Sequence, residues 1–164
     1  MIVRAERGGE EADVHQLIEA AFRGAEHSSG TEARIVDALR SAGALAVSLV
    51  AVDGGVIGHA AFSPVMIDGR DTGWFGLGPV AVFPDSQGRG IGAALIEAGL
   101  AQLREMGASG CVVLGEPAFY ARFGFRAEPG LRYPGPPSEY FQALSFRGQV
   151  PAGEVAYHPA FGVD

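Results

Sequence analysis

The chain has 164 residues, 48% of them hydrophobic and 19% charged, which fits one domain of ordinary size with a real core and excludes a disordered acidic tail. Lys and Arg total 12 against 19 Asp and Glu, a formal net charge of -7, so the basic face that non-specific nucleic-acid binding needs is missing. The balance suits a cationic substrate, although mild acidity also serves solubility alone.

Ile2 to Ala5 reads as a first strand, broken by Gly8-Gly9. Val14, Leu17, Ile18, Ala21 and Phe22 recur at the spacing of an amphipathic helix. Gly24 to Gly30 is a loop holding His27, Ser28 and Ser29. Thr31 then stands where a side chain can cap a second helix, which carries Ile35, Val36 and Leu39 and stops at Gly43. Leu45 to Val52 and Val56 to Phe62 flank Asp53-Gly54-Gly55 and predict a hairpin. Asp68-Gly69-Arg70 marks another turn. Trp74 to Val82 is a further strand. Its Pro79 has no amide to donate, so the ladder must break or bulge there.

A helix is expected from about Gly92 to Met106, closed by Gly107, then a strand from Gly110 to Leu114. Pro117 opens a short helix over Ala118 to Phe123, stopped by Gly124. Phe125 to Ala127 and Tyr140 to Phe146 read as the last strands, with the rigid loop Tyr133-Pro134-Gly135-Pro136-Pro137 between them and an edge strand at Val155-Ala156-Tyr157. A mixed sheet covered by helices accounts for this order. A doubly wound fold would need strict strand-helix alternation from the start. No repeat and no linker divides the chain, so residues 1–164 are expected to form one domain.

Cys111 is the one cysteine and cannot form an internal disulfide. Within Gly110-Cys111-Val112-Val113-Leu114 it reads as a small buried hydrophobe, and no metal cluster can be built on it with the scattered histidines. No apolar run reaches the roughly 18 residues of a membrane span. The start Met1-Ile2-Val3-Arg4-Ala5-Glu6-Arg7 lacks the pattern of a signal peptide. A cytoplasmic protein without nucleic-acid or membrane partners is the expectation.

The sharpest local feature is Gln87-Gly88-Arg89-Gly90-Ile91-Gly92-Ala93, which follows a strand and opens a long helix. A helix start leaves N–H groups unpaired and carries partial positive charge. Glycines let the backbone approach a bulky anion, so the combination can cradle a pyrophosphate, and Arg89 can add a charge. A close-packed turn without a ligand is the plain alternative. A P-loop would need Lys-Ser/Thr after its last glycine. A dinucleotide fingerprint fits Gly88, Gly90 and Ala93, with Glu116 near the distance of a ribose ligand. However, Phe83-Pro84-Asp85-Ser86-Gln87 separates that turn from its strand.

The segment from Leu77 to Gly92, with Gln87, Gly90 and Gly92 as a Q-x-x-G-x-G core, resembles the acetyl-CoA motif of the GNAT N-acetyltransferase superfamily. Leu114-Gly115-Glu116-Pro117-Ala118-Phe119-Tyr120-Ala121-Arg122-Phe123-Gly124-Phe125 resembles its later helix, with a tyrosine and a closing Gly-Phe. Gly58 to Val65 and Tyr133 to Pro137 extend the likeness, which points to a YhbS-like bacterial branch and covers nearly the whole chain. The resemblance implies an α/β (α+β) fold with a central mixed, mostly antiparallel sheet, splayed middle strands and flanking helices. It also implies acetyl-CoA as co-substrate, direct attack by a primary amine in a ternary complex, and a small-molecule or peptide acceptor. Homodimers are frequent in the family.

Carried over position by position, the resemblance puts the pantetheine arm on the backbone of Val80, Ala81 and Val82. The pyrophosphate falls on Gln87, Gly88, Arg89, Gly90, Ile91 and Gly92. Tyr120 matches the usual general acid and a contact to the coenzyme sulfur; a phenol can protonate a departing thiolate. Beside Phe119 and Phe123 it also reads as a plain helix residue. Many relatives carry a glutamate on the splayed strand, but Gly76 to Val82 has no carboxylate. That gap leaves Glu32, Glu116, His27 and His59 as candidate bases, with Glu32 and Glu116 also suited to helix starts. It equally suits a non-catalytic acyl-CoA-binding module. The His27-Ser28-Ser29-Gly30 loop and Tyr133, Tyr140 and Phe141 are expected to wall the acceptor pocket.

Overall fold

The structure is a computed structural model and describes residues 1–25 and 28–162. Its elements in chain order are β1 (Ile2–Ala5), α1 (Glu11–Phe22), α2 (Glu32–Ser41), β2 (Val47–Val52), β3 (Val56–Ile67), β4 (Arg70–Val82), α3 (Ile91–Glu105), β5 (Gly110–Leu114), α4 (Pro117–Tyr120), β6 (Leu131–Arg132), β7 (Phe141–Ser145) and β8 (Gly153–Ala156). The main sheet runs β1-β2-β3-β4-β5-β7. Only β4 and β5 pair in parallel along it. β8 adds to the far end of β3 and pairs in parallel with β6. This is the mixed, mostly antiparallel sheet that the resemblance implied.

Local chemistry builds the hairpins. Asp68 and Gly69 both take positive φ (51° and 74°), which a two-residue hairpin turn needs, so β3 and β4 run into each other almost without a loop. The long β3–β4 pair carries two register shifts, one between Ala60 and Phe62 opposite the Gly78-Pro79 segment. The bulge expected at Pro79 is therefore present.

Helices cover both faces. α3 buries Leu95, Ile96, Leu100 and Leu103 against Leu49, Phe62, Leu77 and Val113. Each such side chain contributes about 1.5–3 kcal/mol when fully buried. Gly99 lets the helix lie close, because a β-carbon there would run into the Phe62 ring. On the other face Val14, Ile18 and Val36 of α1 and α2 pack on Val50, Ala61 and Ala81. The turn at residues 159–162 places Ala160 against Ile35 and Leu39 of α2. That contact pulls the C-terminal aromatics toward the middle of the sheet.

Several sequence expectations need correction. Residues 125–127 form no strand; Arg126 makes an isolated bridge to Ala143. β3 continues through Ser63 and Pro64 to Ile67. β6 is two residues long, too short to leave a periodic pattern. Thr31 sits at the N-cap of α2, but its side chain makes no capping bond and meets the Ser29 hydroxyl at 2.6 Å instead. Cys111 is fully buried as expected, which pushes its thiol pKa up.

Candidate active site

The site begins where two parallel strands part. β4 pairs with β5 from Trp74 to Leu77, opposite Gly110 to Val113, and then continues to Val82 while β5 ends at Leu114. Phe83 N–H donates to the Ile57 carbonyl (2.8 Å). In an antiparallel ladder such pairs alternate, so Ala81 is also turned toward β3, opposite His59. Val80 and Val82 then direct their N–H and C=O groups to the open edge. Gln87 Nε2 already donates to the Val82 carbonyl (3.1 Å), tying this edge to the glycine turn.

The turn has the backbone that its glycines suggested. Gly88 and Gly90 take φ of 80° and 77°, and a β-carbon at either would meet nothing within 4 Å. Glycine therefore supplies conformation and access here, not packing space. Gly90 is the left-handed N-cap of α3, and the first helical bond is Ala94 N–H to its carbonyl. Among the described residues, the N–H groups from Gly88 to Ala93 have no backbone acceptor. Six amides without a partner at the start of a 15-residue helix are a place where an anion can be received. Arg89 is exposed beside them.

At the other end of the split lies a cleft of about 340 Å³. Its floor is Leu77 to Val80 of β4 and Leu114 of β5. Tyr120 enters from α4, directly after β5, and Glu32 from the first turn of α2. The Tyr120 ring lies where a β-carbon on Gly115 would stand, so glycine is required there. Buried Gln142 holds that corner by donating to the Gly115 carbonyl (3.1 Å). Burial raises the Tyr120 phenol above its ordinary pKa, with the nearby Cys111 sulfur adding to the shift. The phenol thus stays protonated at neutral pH and is available as a donor. Glu32 is held by Ser28, whose hydroxyl donates to Oε1 (2.8 Å), and by the Ser29 N–H, which donates to Oε2 (3.2 Å).

The acetyltransferase (GNAT) family model matches residues 12–125. The chain belongs to this family. It is 38% identical over 146 residues to the uncharacterized N-acetyltransferase YhbS of Escherichia coli K12, covering 85% of this chain and 84% of that protein. Among solved structures, a GNAT family acetyltransferase from Brucella melitensis in complex with acetyl-CoA has 52% identity and a TM-score of 0.88, over 98% of this chain and 97% of its own. Escherichia coli YhbS in complex with CoA has 37% identity and a TM-score of 0.84, over 99% and 92%. Membership makes the chain an acyltransferase.

Not every residue singled out in the sequence reaches the cleft. Glu116 is exposed at the start of α4, does not line the cleft, and uses its carbonyl to accept the N–H groups of Phe119 and Tyr120. His59 is fully buried on the α1/α2 face. Its Nε2 lies 2.8 Å from the Ser48 hydroxyl, and Glu6, 3.7 Å away, is held by two bonds from Arg40. His27 lies outside the described residues. Tyr133 lines the cleft, whereas Phe141 belongs to a neighbouring recess and Tyr140 is exposed. Larger recesses of about 540 and 610 Å³ sit around β6 and β7, away from the strand split, and contain neither Tyr120 nor the open edge. We take the smaller cleft as the acyltransferase centre for that reason. Phe22, Ile35, Tyr157 and Phe161 complete it. Phe22 reads as core stripe in the sequence and Tyr157 as part of an edge strand, and no local signal singles out Phe161. Among the described residues no group of three metal-ligating side chains occurs, and no helix is long and apolar enough to cross a membrane.

Proposed function

We propose that the chain transfers an acetyl group from acetyl-CoA to a primary amine by direct attack, with both substrates bound together. The observation that carries this reading is the alignment of three features: the amide cradle at Gly88 to Ala93, the open edge at Val80 and Val82, and Tyr120 with Glu32 in the cleft beyond. Gln87 to Gly92 would hold the pyrophosphate, with Arg89 adding charge from solvent. Val80 and Val82 would pair with the amides of the pantetheine arm, and Ala81 would secure the strand to β3.

The thioester supplies an acyl carbon activated toward nitrogen. An acceptor amine with a pKa near ~10 arrives as an ammonium and must lose a proton first. Glu32 is the carboxylate among the described lining of the cleft and takes that proton, directly or through water. The nitrogen lone pair then forms the N–C bond as the C–S bond breaks. Tyr120 gives its hydroxyl proton to the departing sulfur. The second proton leaving nitrogen restores the phenol through solvent, so one proton is released for each amide and thiol formed. Glu32 on α2 would thereby do what a carboxylate on the splayed strand does in other relatives.

Thermal melting with acetyl-CoA, free CoA, NAD and ATP tests the donor half. A ligand bound only by the folded state at ~100-fold excess over its dissociation constant should add about 2.7 kcal/mol. A shift with the CoA forms alone supports the reading, and its absence removes it. Acceptor-dependent release of free thiol separates turnover from an acyl-CoA-binding module, which would show the shift but never release thiol.

A further inference from the structure

We infer that the acceptor is an amine with no carboxylate beside its reacting nitrogen: an alkyl or arylalkyl amine, or an amide-masked amino group, and not a free α-amino acid. This rests on the acetyl-transfer reading of the same cleft. The cleft walls carry five aromatic side chains, Phe22, Tyr120, Tyr133, Tyr157 and Phe161, and one acidic side chain, Glu32. No arginine, lysine or histidine is among its described lining. Aromatic faces and a carboxylate attract an ammonium. An α-carboxylate brought in with it would lie about two bonds from the nitrogen, in a partly desolvated site whose described lining offers no cation to pair with. A buried charge in that position is costly.

Tyr157 adds an independent observation. It follows β8 directly, and its ring lies over Gly76, where a β-carbon would collide with it. It stacks edge-on against Tyr133, with ring centroids 5.1 Å apart, and also meets Phe161 at 5.1 Å. Its hydroxyl oxygen is buried and has no hydrogen-bond partner among the described residues. Burial raises its pKa, and the neighbouring Cys111, Tyr133 and Tyr120 groups push it further in the same direction. A neutral phenol oxygen left unpaired beside the cleft costs free energy unless a ligand completes it. It can accept an N–H from an ammonium, whereas a carboxylate in the cleft would find only neutral side-chain donors, the phenols of Tyr120, Tyr133 and Tyr157, among the described lining.

The negative bias continues outward. Tyr133 also borders the recess of about 540 Å³ that holds Glu128, Glu139, Glu154 and Arg132, three acids against one base. An acceptor long enough to pass Tyr133 therefore gains from a second positive charge and loses from a negative one.

The test uses matched acceptors with the full chain and saturating acetyl-CoA, following thiol release. Phenethylamine, L-phenylalanine amide and L-phenylalanine form one set, and agmatine with L-arginine a second. All 12 basic residues of the chain are arginine, so no lysine of the protein competes for the acetyl group. We expect kcat/KM for the amines and the amide to exceed that of the free amino acids by about 100-fold or more, given the cost of an unpaired carboxylate. Amino acids used within about tenfold of their amines overturn the inference. So does a panel in which no carboxylate-free amine reacts while the acetyl-CoA melting shift is intact. A missing shift would instead sink the donor reading itself. Tyr157→Phe removes only the unpaired hydroxyl and should raise the amine KM several-fold with the acetyl-CoA shift and kcat little changed. An unchanged KM would strike Tyr157 from the acceptor site.

Discussion

The two ends of the active site are built from different material. The end assigned to the donor is almost all backbone: unpaired amides at the start of α3 and the free edge of β4. The cleft at the other end is almost all side chain, with Phe22, Glu32, Tyr120, Tyr133, Tyr157 and Phe161 arriving from five segments of the chain. A backbone site tolerates changes of side chain as long as the conformation survives. A side-chain site keeps its conformation and changes its chemistry with every substitution. The first can stay constant across a family while the second is free to choose substrates.

That contrast can be broken by single changes. Tyr120→Phe should lower kcat by roughly 10²–10⁴ where chemistry is rate-limiting, while the acetyl-CoA melting shift stays in place. Full turnover in this variant would strip Tyr120 of its role as acid. Glu32→Gln should reduce kcat by about 10² at neutral pH, less so as alkaline pH deprotonates the amine in solution. Glu116→Gln, outside the cleft, should leave the rate as it is. The reverse result would move the base to α4. At the other end, Gly90→Val forces a branched residue into a left-handed conformation at a cost of about 1–2 kcal/mol. Donor binding should weaken by about tenfold or more, read from the dissociation constant of CoA, with the amine KM little affected.

Two titrations sharpen the picture further. Because burial raises the Tyr120 phenol, the alkaline limb of the kcat profile should lie above the ordinary phenol value near ~10. A limb below that value would identify another acid. His59 is lowered to about 4, by burial first and by Arg40 second. Between about pH 6.5 and 4 the unfolded chain binds a proton there that the folded chain refuses. Stability should therefore fall as the pH drops through that window, by an amount on the order of 3 kcal/mol. Urea unfolding at stepped pH measures it, and His59→Gln should flatten the slope. This is the smallest effect on catalysis, because the buried Glu6–Arg40–Ser48–His59 group lies off the cleft.

The features legible in the sequence were those whose cause is local. The glycines at 88 and 90 announce positive φ and an open helix start, and both are present. Pro79 announced a bulge in β4, and the register shifts there. Pro117 and Gly124 marked a short helix after β5, which the structure keeps as α4 and a following tight turn. Apolar periodicity located α1, because one stripe of it must face the sheet, and glycines marked where α2 and α3 stop.

Tertiary structure decided the rest. Nothing local distinguishes Glu32 from Glu116, since each stands at a helix start; only the packing of α2 over the strand split brings Glu32 into the cleft. Tyr157 reads as part of an edge strand; the contact of Ala160 with α2 goes with its ring lying over Gly76 of β4 and with Phe161 reaching the cleft. The point where β4 and β5 separate depends on β5 ending at Leu114, after which Gln142 pins the turn. By itself, then, the sequence determined the elements, the family and the glycine turn with its open helix start, because backbone conformation is set by near neighbours. Only the folded chain decided which acid, which aromatics and which edge share one cleft, because those meet through contacts between residues far apart in sequence.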